Sequence, residues 1–508
     1  MTSPIRMRAI CATLTAAMTC AGLAAASGAS ASSSQPTMLQ DDSLTLPSDR
    51  RDSTLDEWKS LGVDTVKMTL TWRNFAPDAT SEQKPNVDLA DPASYDAREW
   101  QRYDQAIRGA QQRGMNVFLM IAGGAPDWAS DTSPDGLPGG VQNPDAAAYG
   151  QFVQAVGKRY SGTYTAPAGP YSDPNALPRV SLWSVWNEPN LASWLSPQYD
   201  GKTPKSPELY RNLVYAARDG LAASGHGGDT LLIGELLPFA RGGTGNVKVR
   251  PIEFLRDLGC VDKKYRPLKG SAATKQGCAG FKPLPGNGLA YHPYTLAGGP
   301  GVNFPNKDDA SIGQLGRVTS ALDKLTKRKR FAQKRKLGLW STEFGFQTDP
   351  PDPVQSPIKK VPGFMGEAEW IAYKNPRVAS WSQYPFADDP IPDEGDNRFG
   401  GFQSGLLFED GRRKRAVYHE FQFPIFARLA SKSKVEVFGG VRAGAPGAQV
   451  VVESRSGKAK FKALKGGRVK LGKQGYFDRT FTVPSASKRE FRFRFAKDKS
   501  RSARPLKR

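Results

Sequence analysis

From residue 38 onward the chain alternates short apolar, β-branched runs with longer stretches whose apolar positions recur at helical spacing. Val63–Trp72 (VDTVKMTLTW) is β-branched and half alternating. Met115–Ala122 (MNVFLMIA) is continuously apolar, as a strand covered on both faces should be. Between them Tyr103–Arg113 is amphipathic and stops at Gly114, a C-cap signal. Further strands are expected at Met38–Leu46, Val180–Trp186, Thr230–Leu237, Leu289–Tyr294, Leu337–Phe344 and Val378–Pro385. Helices are expected at Ser53–Leu61, Asp145–Tyr160, Pro207–Ala223, Pro251–Leu258, Ile312–Lys329, Gly366–Tyr373 and Ala416–Phe426. Eight strands, each followed by a helix, predict an α/β protein with a parallel sheet, and the repeat number fits a (β/α)8 TIM barrel over residues 32–429. An open doubly wound sheet would call for a Gly-rich phosphate turn after the first strand, and none is present.

After residue 430 the period changes to two. Phe491, Phe493 and Phe495 alternate with Arg492 and Arg494, which puts rings on one face and guanidinium groups on the other. With turn signals at Gly439-Gly440, Gly466-Gly467 and Gly472, residues 430–496 read as a small antiparallel β-sandwich, and 497–508 as a disordered basic tail. Charge sharpens this division. The chain of 508 residues carries a net +22, and residues 430–508 hold 22 Lys+Arg against 5 Asp+Glu. The barrel segment is therefore nearly neutral. The basic appendage suits an anionic cell-surface polymer or membrane surface, or is simply a solvated face. Nucleic acid is not expected, because alternating Phe marks a core face.

Arg6 and Arg8 precede an Ala/Thr-rich apolar run ending at Ala29-Ser30-Ala31, the layout of a signal peptide over residues 1–31. The run is too weakly apolar for a membrane anchor, and no later segment is apolar enough to span a bilayer. The expectation is a secreted monomer, extracellular or held at the cell wall. Export leaves Cys260 and Cys278, for which a disulfide is the default in an oxidising compartment. With His 3 in the whole chain, a His-rich metal site is not expected, nor is an organic cofactor.

In a barrel, chemistry gathers at the C-terminal ends of the strands. The fourth ends Trp186-Asn187-Glu188-Pro189-Asn190 and the seventh Trp340-Ser341-Thr342-Glu343-Phe344-Gly345, so Glu188 and Glu343 face each other across the mouth. Either Glu alone would be as readily a structural ion pair. Two facing carboxyl groups are what glycoside hydrolysis needs, one to protonate the leaving oxygen and one to attack or to activate water.

On WNEPN at 186–190 and WSTEFG at 340–345 the sequence resembles glycoside hydrolase clan A, the 4/7 superfamily of retaining β-glycosidases, family 5-like or family 39-like. The resemblance implies a cellulase-like O-glycosyl hydrolase acting on an oligo- or polysaccharide. It makes Glu188 the acid/base and Glu343 the nucleophile, with Asn187 on the sugar 2-hydroxyl. It also implies that His292 and Tyr294 line the site, that Tyr294 holds the nucleophile, and that Trp381 forms a floor under the sugar. Lys67 stands where many members carry an Arg that supports the nucleophile. Strand three ends Ala122-Gly123-Gly124, where several families place a polar sugar contact. Trp72, Trp128 and Trp194, in loops after strands two, three and four, offer sugar platforms or loop packing. Glu235, late in strand five, is a third mouth carboxylate with a supporting or structural role. The alternative function is a non-catalytic carbohydrate- or wall-binding protein on a barrel scaffold.

Overall fold

The computed structural model describes residues 35–171, 174–240, 247–392 and 398–507. The export segment expected at 1–31 lies outside them. Eight parallel strands close into a barrel: β1 (Thr37–Leu39), β2 (Thr65–Thr71), β3 (Asn116–Ala122), β4 (Leu182–Val185), β5 (Thr230–Leu236), β6 (Gly288–Tyr291), β7 (Gly338–Ser341) and β8 (Val378–Gln383), each hydrogen-bonded to the next and β8 to β1. The main helices between and after them are α1 (Ser48–Ser60), α2 (Ala97–Gln112), α3 (Ala146–Arg159), α4 (Ser206–Ala223), α5 (Pro251–Leu258), α6 (Leu315–Lys327), α7 (Val361–Lys374) and α8 (Arg415–Gln422).

Strand alternation divides the apolar residues into two cores. Met38, Phe118, Leu232 and Ala290, with Leu182 and Trp340, fill the barrel interior. The alternate side chains, among them Val66, Met68, Leu119, Ile121, Trp183 and Ile233, pack outward under the helices. Strand β1 is shorter than expected, because Asp42 opens a helical turn over Asp42–Thr45. Cys260 and Cys278 form a disulfide.

The C-terminal part is two antiparallel sheets around one apolar core, and it begins earlier than residue 430. The expected closing helix stops at Gln422, and Ile425–Ser431 is already strand β9. Strands β10 (Lys434–Gly440), β11 (Gln449–Ser456), β12 (Lys462–Lys470), β13 (Tyr476–Thr482), β14 (Arg489–Phe495) and β15 (Asp498–Lys499) complete the sheets β9-β10-β13 and β12-β11-β14-β15. Two expected turns are strand instead. Gly439 and Gly440 lie under the rings of Phe477 and Tyr476, where a Cβ would come within 2.7 and 2.8 Å of ring carbons. Gly467 sits inside β12, where a Cβ would meet Val452 O at 2.6 Å.

The expected disordered tail is also corrected. Asp498 pairs with Phe495, Ala503 pairs with Phe491, and Leu506 bridges Arg428. Ala503 is buried, and Arg501 Nε reaches the buried Glu420 carboxylate at 2.6 Å. Backbone pairing along an otherwise open sheet edge and these buried contacts hold a sequence whose composition suggested disorder. Phe491 and Phe493 enter the core as expected. Their Arg neighbours are not a bare cationic face: Arg492 and Arg494 both bind Glu453, at 2.8 and 2.6 Å.

The sandwich is locked to the barrel by Arg442. Its buried guanidinium donates to both oxygens of Glu369 on α7, at 2.7 and 2.9 Å, to Thr37 Oγ1 of β1 at 2.6 Å and to Phe421 O at 2.7 Å. A buried pair of this kind is worth little against an apolar substitute, but breaking one half strands the other. Arg442→Ala is therefore expected to destabilise the chain by about 3–5 kcal/mol, read as a fall in the urea midpoint. A loss below about 1 kcal/mol, the range of exposed pairs, would show that the contact does not couple the two parts.

Candidate active site

Strand β4 hands the chain to Trp186, whose amide donates to Ile121 O of β3. Trp186 and Glu188 then take left-handed φ of 62° and 35°, unusual for side-chain-bearing residues. That turn brings Asn187 and Glu188 to the mouth, and Asn190 secures the loop by donating to Leu237 O and Val249 O, each at 3.0 Å. The Trp186 ring occupies the space beside β3. A Cβ on Gly123 would lie 2.1 Å from it, so a polar sugar-binding side chain cannot stand there.

Strand β5 carries a register shift between Gly234 and Leu236, with Glu235 at φ 49°. This bulge aims the Glu235 carboxylate into the barrel. There it accepts from Ser184 Oγ at 2.7 Å, Thr342 Oγ1 at 2.6 Å, His292 Nε2 at 2.7 Å and Lys67 Nζ at 3.3 Å. Burial alone would raise its pKa, but Lys67, His292 and Thr342 outweigh burial and bring it down to about 2. Lys67, fully buried on β2, divides its ammonium between Glu235 and Glu343 Oε1, the latter at 3.0 Å. Burial disfavours its charge, yet the two carboxylates raise its pKa above the ordinary value.

His292 joins the whole set. Its Nδ1 stands 3.0 Å from Glu188 Oε1 and 3.5 Å from Glu343 Oε2, while Nε2 faces Glu235. Burial opposes protonation, but Glu343, Glu188 and Glu235 overcome it and raise the imidazole to about 9. Tyr294 donates to Glu343 Oε2 at 3.3 Å, and burial, then the Glu343 charge, pushes its hydroxyl well up. The structure thus brings together Glu188, Glu343, Asn187, His292, Tyr294 and Lys67.

Three expected residues are elsewhere. Trp72 is fully buried, stacked on Phe152 at 6.0 Å. Trp128 packs edge-on against Trp72 and lines a separate groove with Asp127, Thr80 and Glu82. Trp381 has the parity of Thr37 on β1, opposite to the inward Met38, so it packs outward under the helices against Phe344. Trp194 does reach the cleft, along with Tyr384 just beyond β8.

The cleft has a volume of about 340 Å³. Its wall also holds Gln40 and Asp42 from the end of β1, which the sequence pattern hid by extending that strand to Leu46. Asp42 is raised to about 7 by burial, against hydrogen bonds from Gln40 and the Thr69 amide. A larger groove of about 1010 Å³ lies between α7, α8 and residues 501–506, sharing no wall residue with the cleft.

No protein-family profile and no curated sequence relative matches the chain. Among solved structures it is similar to a monomeric beta-xylosidase from Caulobacter crescentus CB15, at 14% identity and TM-score 0.45 over 89% of this chain and 96% of that one. It is also similar to the virulence factor SghA from Agrobacterium tumefaciens, at 14% identity and TM-score 0.42 over 75% and 94%. A third is an exo-beta-1,4-mannosidase from Opitutaceae bacterium strain TAV5, at 16% identity and TM-score 0.42 over 78% and 60%. At these levels of identity and overlap the likenesses carry no functional weight.

The His292 shift has a sign that can be tested. Its folded pKa of about 9 lies above the ordinary 6.5, so its contribution to stability is full below pH 6.5 and is lost as pH rises through 9. Nitrogen-15 NMR should find both His292 ring nitrogens protonated at pH 7. Stability should fall between pH 7 and 9.5 in the wild type and fall less in His292→Gln. A neutral imidazole at pH 7 would contradict the charge arrangement.

Proposed function

We propose that the chain is a glycoside hydrolase that cleaves β-glycosidic bonds with retention, Glu343 acting as nucleophile and Glu188 as acid/base. One observation carries this reading. A single nitrogen, His292 Nδ1, lies 3.0 Å from a Glu188 oxygen and 3.5 Å from a Glu343 oxygen. The two oxygens are therefore no further apart than those lengths laid end to end. That bound covers the ~5–5.5 Å of retaining enzymes and only touches the ~6.5–9.5 Å that inverting enzymes need for an intervening water.

The surroundings support the division of labour. Lys67 donates to one oxygen of Glu343 and Tyr294 to the other, which fixes the orientation of the attacking carboxyl. Glu188 has the more exposed side chain of the two, 12% against 8%, and receives only His292 among these donors. In the first step Glu188 passes its proton to the leaving oxygen as Glu343 bonds to the anomeric carbon. In the second, Glu188 takes a proton from water, whose oxygen displaces Glu343. Charge in the cluster is conserved throughout: when Glu343 becomes an ester, Glu188 becomes the anion, and His292 faces both. Asn187, buried with Oδ1 unmatched by any donor among the described residues, stands ready for a sugar hydroxyl.

On the strength of the leader-like segment at 1–31, the same reading places the enzyme outside the cell, where the basic C-terminal part would hold it to an anionic polymer.

Glu343→Gln should abolish turnover of an activated aryl β-glycoside with the circular dichroism unchanged. Glu188→Ala should lose about 10²–10⁴-fold on a substrate with a poor leaving group. Proton NMR of the first product should show the β-anomer. Full activity in Glu343→Gln, or an α-anomer first, would overturn the assignment.

A further inference from the structure

The end of β1 carries polar groups that the proposed chemistry does not use. Gln40 is 5% exposed, and its amide nitrogen is committed to Thr69 Oγ1 at 2.7 Å and Asp42 Oδ2 at 3.3 Å. Those two bonds fix the amide orientation, since the reverse would set Gln40 Oε1 against the carboxylate. Gln40 Oε1 is then left shut off from solvent with no donor among the described residues. Asp42 repeats the pattern: Oδ2 accepts from the Thr69 amide at 3.2 Å, and Oδ1 is buried without a donor among the described residues. Both residues line the cleft that contains Glu188 and Glu343, and so does Asn187 with its own unmatched Oδ1.

Native structures seldom leave buried acceptors unmatched, and three along one cleft need one explanation. Gln40 and Asn187 present acceptors, and Asp42, raised to about 7 by burial, presents an acceptor when ionised and a donor when protonated, so a partner carrying several O–H groups suits all three. The part of it seated between these residues must also be compact, given a cleft of about 340 Å³. A polyhydroxylated ring meets both conditions. An acidic ring is disfavoured, because the wall sets Asp42, Glu99, Glu188 and Glu343 against one cation, Arg102, which already pairs with Glu99 at 2.7 Å.

We infer that Gln40 and Asp42 form a hydroxyl-reading subsite for a neutral glycosyl unit, gripping the ring edge remote from Asn187. This rests on the glycosidase reading for the identity of the ligand, while the contacts themselves come from the end of β1. Gln40 and Asp42 would set which sugar is accepted, with Glu188 and Glu343 performing the reaction on it.

The test uses the intact chain and methyl β-pyranosides of gluco, manno, galacto and xylo configuration, with their monodeoxy analogues. Binding is followed by saturation-transfer NMR, and turnover is assayed separately with the aryl glycosides. For the sugar that binds best, loss of one hydroxyl remote from C2 should weaken binding about 10- to 100-fold in the wild type. The same loss should change it by less than about twofold in Gln40→Ala or Asp42→Ala. The 2-deoxy penalty should persist in both variants, and the uronide should bind more weakly than its neutral parent. Asp42 accepts from a backbone amide, so Gln40→Ala is the variant that stands if Asp42→Ala misfolds. Deoxy profiles identical in wild type and Gln40→Ala would overturn the inference, as would failure of every neutral sugar to bind. If aryl glycosides are turned over but the profile ignores Gln40, the subsite falls and the glycosidase stands. If the profile depends on Gln40 and no glycoside is ever cleaved, the glycosidase reading falls and the subsite stands.

Discussion

The barrel mouth is organised by the need to hold several charges in a space that excludes water. Lys67, Glu235 and His292 are each essentially inaccessible, and Glu343 is nearly so. An isolated charge in such a place would be costly or would neutralise by a shifted pKa. Two cations set against two anions, each with several hydrogen bonds, remove that penalty. Glu235 is the hub, because it accepts from Ser184, Thr342, His292 and Lys67 and so fixes the two cations that face Glu188 and Glu343. The fold bends to place it: the bulge on β5 and the left-handed backbone at Glu235 and Glu188 are conformations that cost about 1–3 kcal/mol each and persist only where surrounding contacts enforce them.

This arrangement suits a reaction in which negative charge moves between two carboxyls without changing in total. His292 Nδ1 faces both oxygens, so in the proposed reaction the imidazolium would follow the charge from Glu343 to Glu188 with little motion. Such preorganised electrostatics avoid reorganisation during the chemical step. Lys67 supplies charge to Glu343 where a guanidinium fork would supply two parallel bonds. Here the ammonium serves a second carboxylate, Glu235, with the capacity a fork would have spent on one.

Much of this was legible in the sequence because it depends on periodicity. The eight strand–helix units, the positions of Glu188 and Glu343 at strand ends, and the inward Phe491 and Phe493 all follow from spacings of two or of three to four residues. What escaped depends on three-dimensional parity and local backbone. Trp381 lies on the right strand, but its register with Thr37 turns it outward. Trp72 belongs to a helical turn that buries it, Trp72–Phe75, so the ring never reaches the cleft. Gln40 and Asp42 were concealed because a strand of three residues was read as one of nine. The C-terminal residues looked disordered by composition, and only their pairing with β14 and the buried Glu420 reveals why they are fixed.

The most direct measurement is to trap the covalent intermediate. A 2-deoxy-2-fluoro β-glycoside with a good leaving group slows both steps but the second more, so the glycosyl-enzyme accumulates and the labelled peptide can be sequenced by mass spectrometry. The charge arrangement predicts one sugar per chain, esterified to Glu343, with none formed in Glu343→Gln. Turnover of the parent glycoside without any such adduct, or an adduct on another carboxylate, would contradict it.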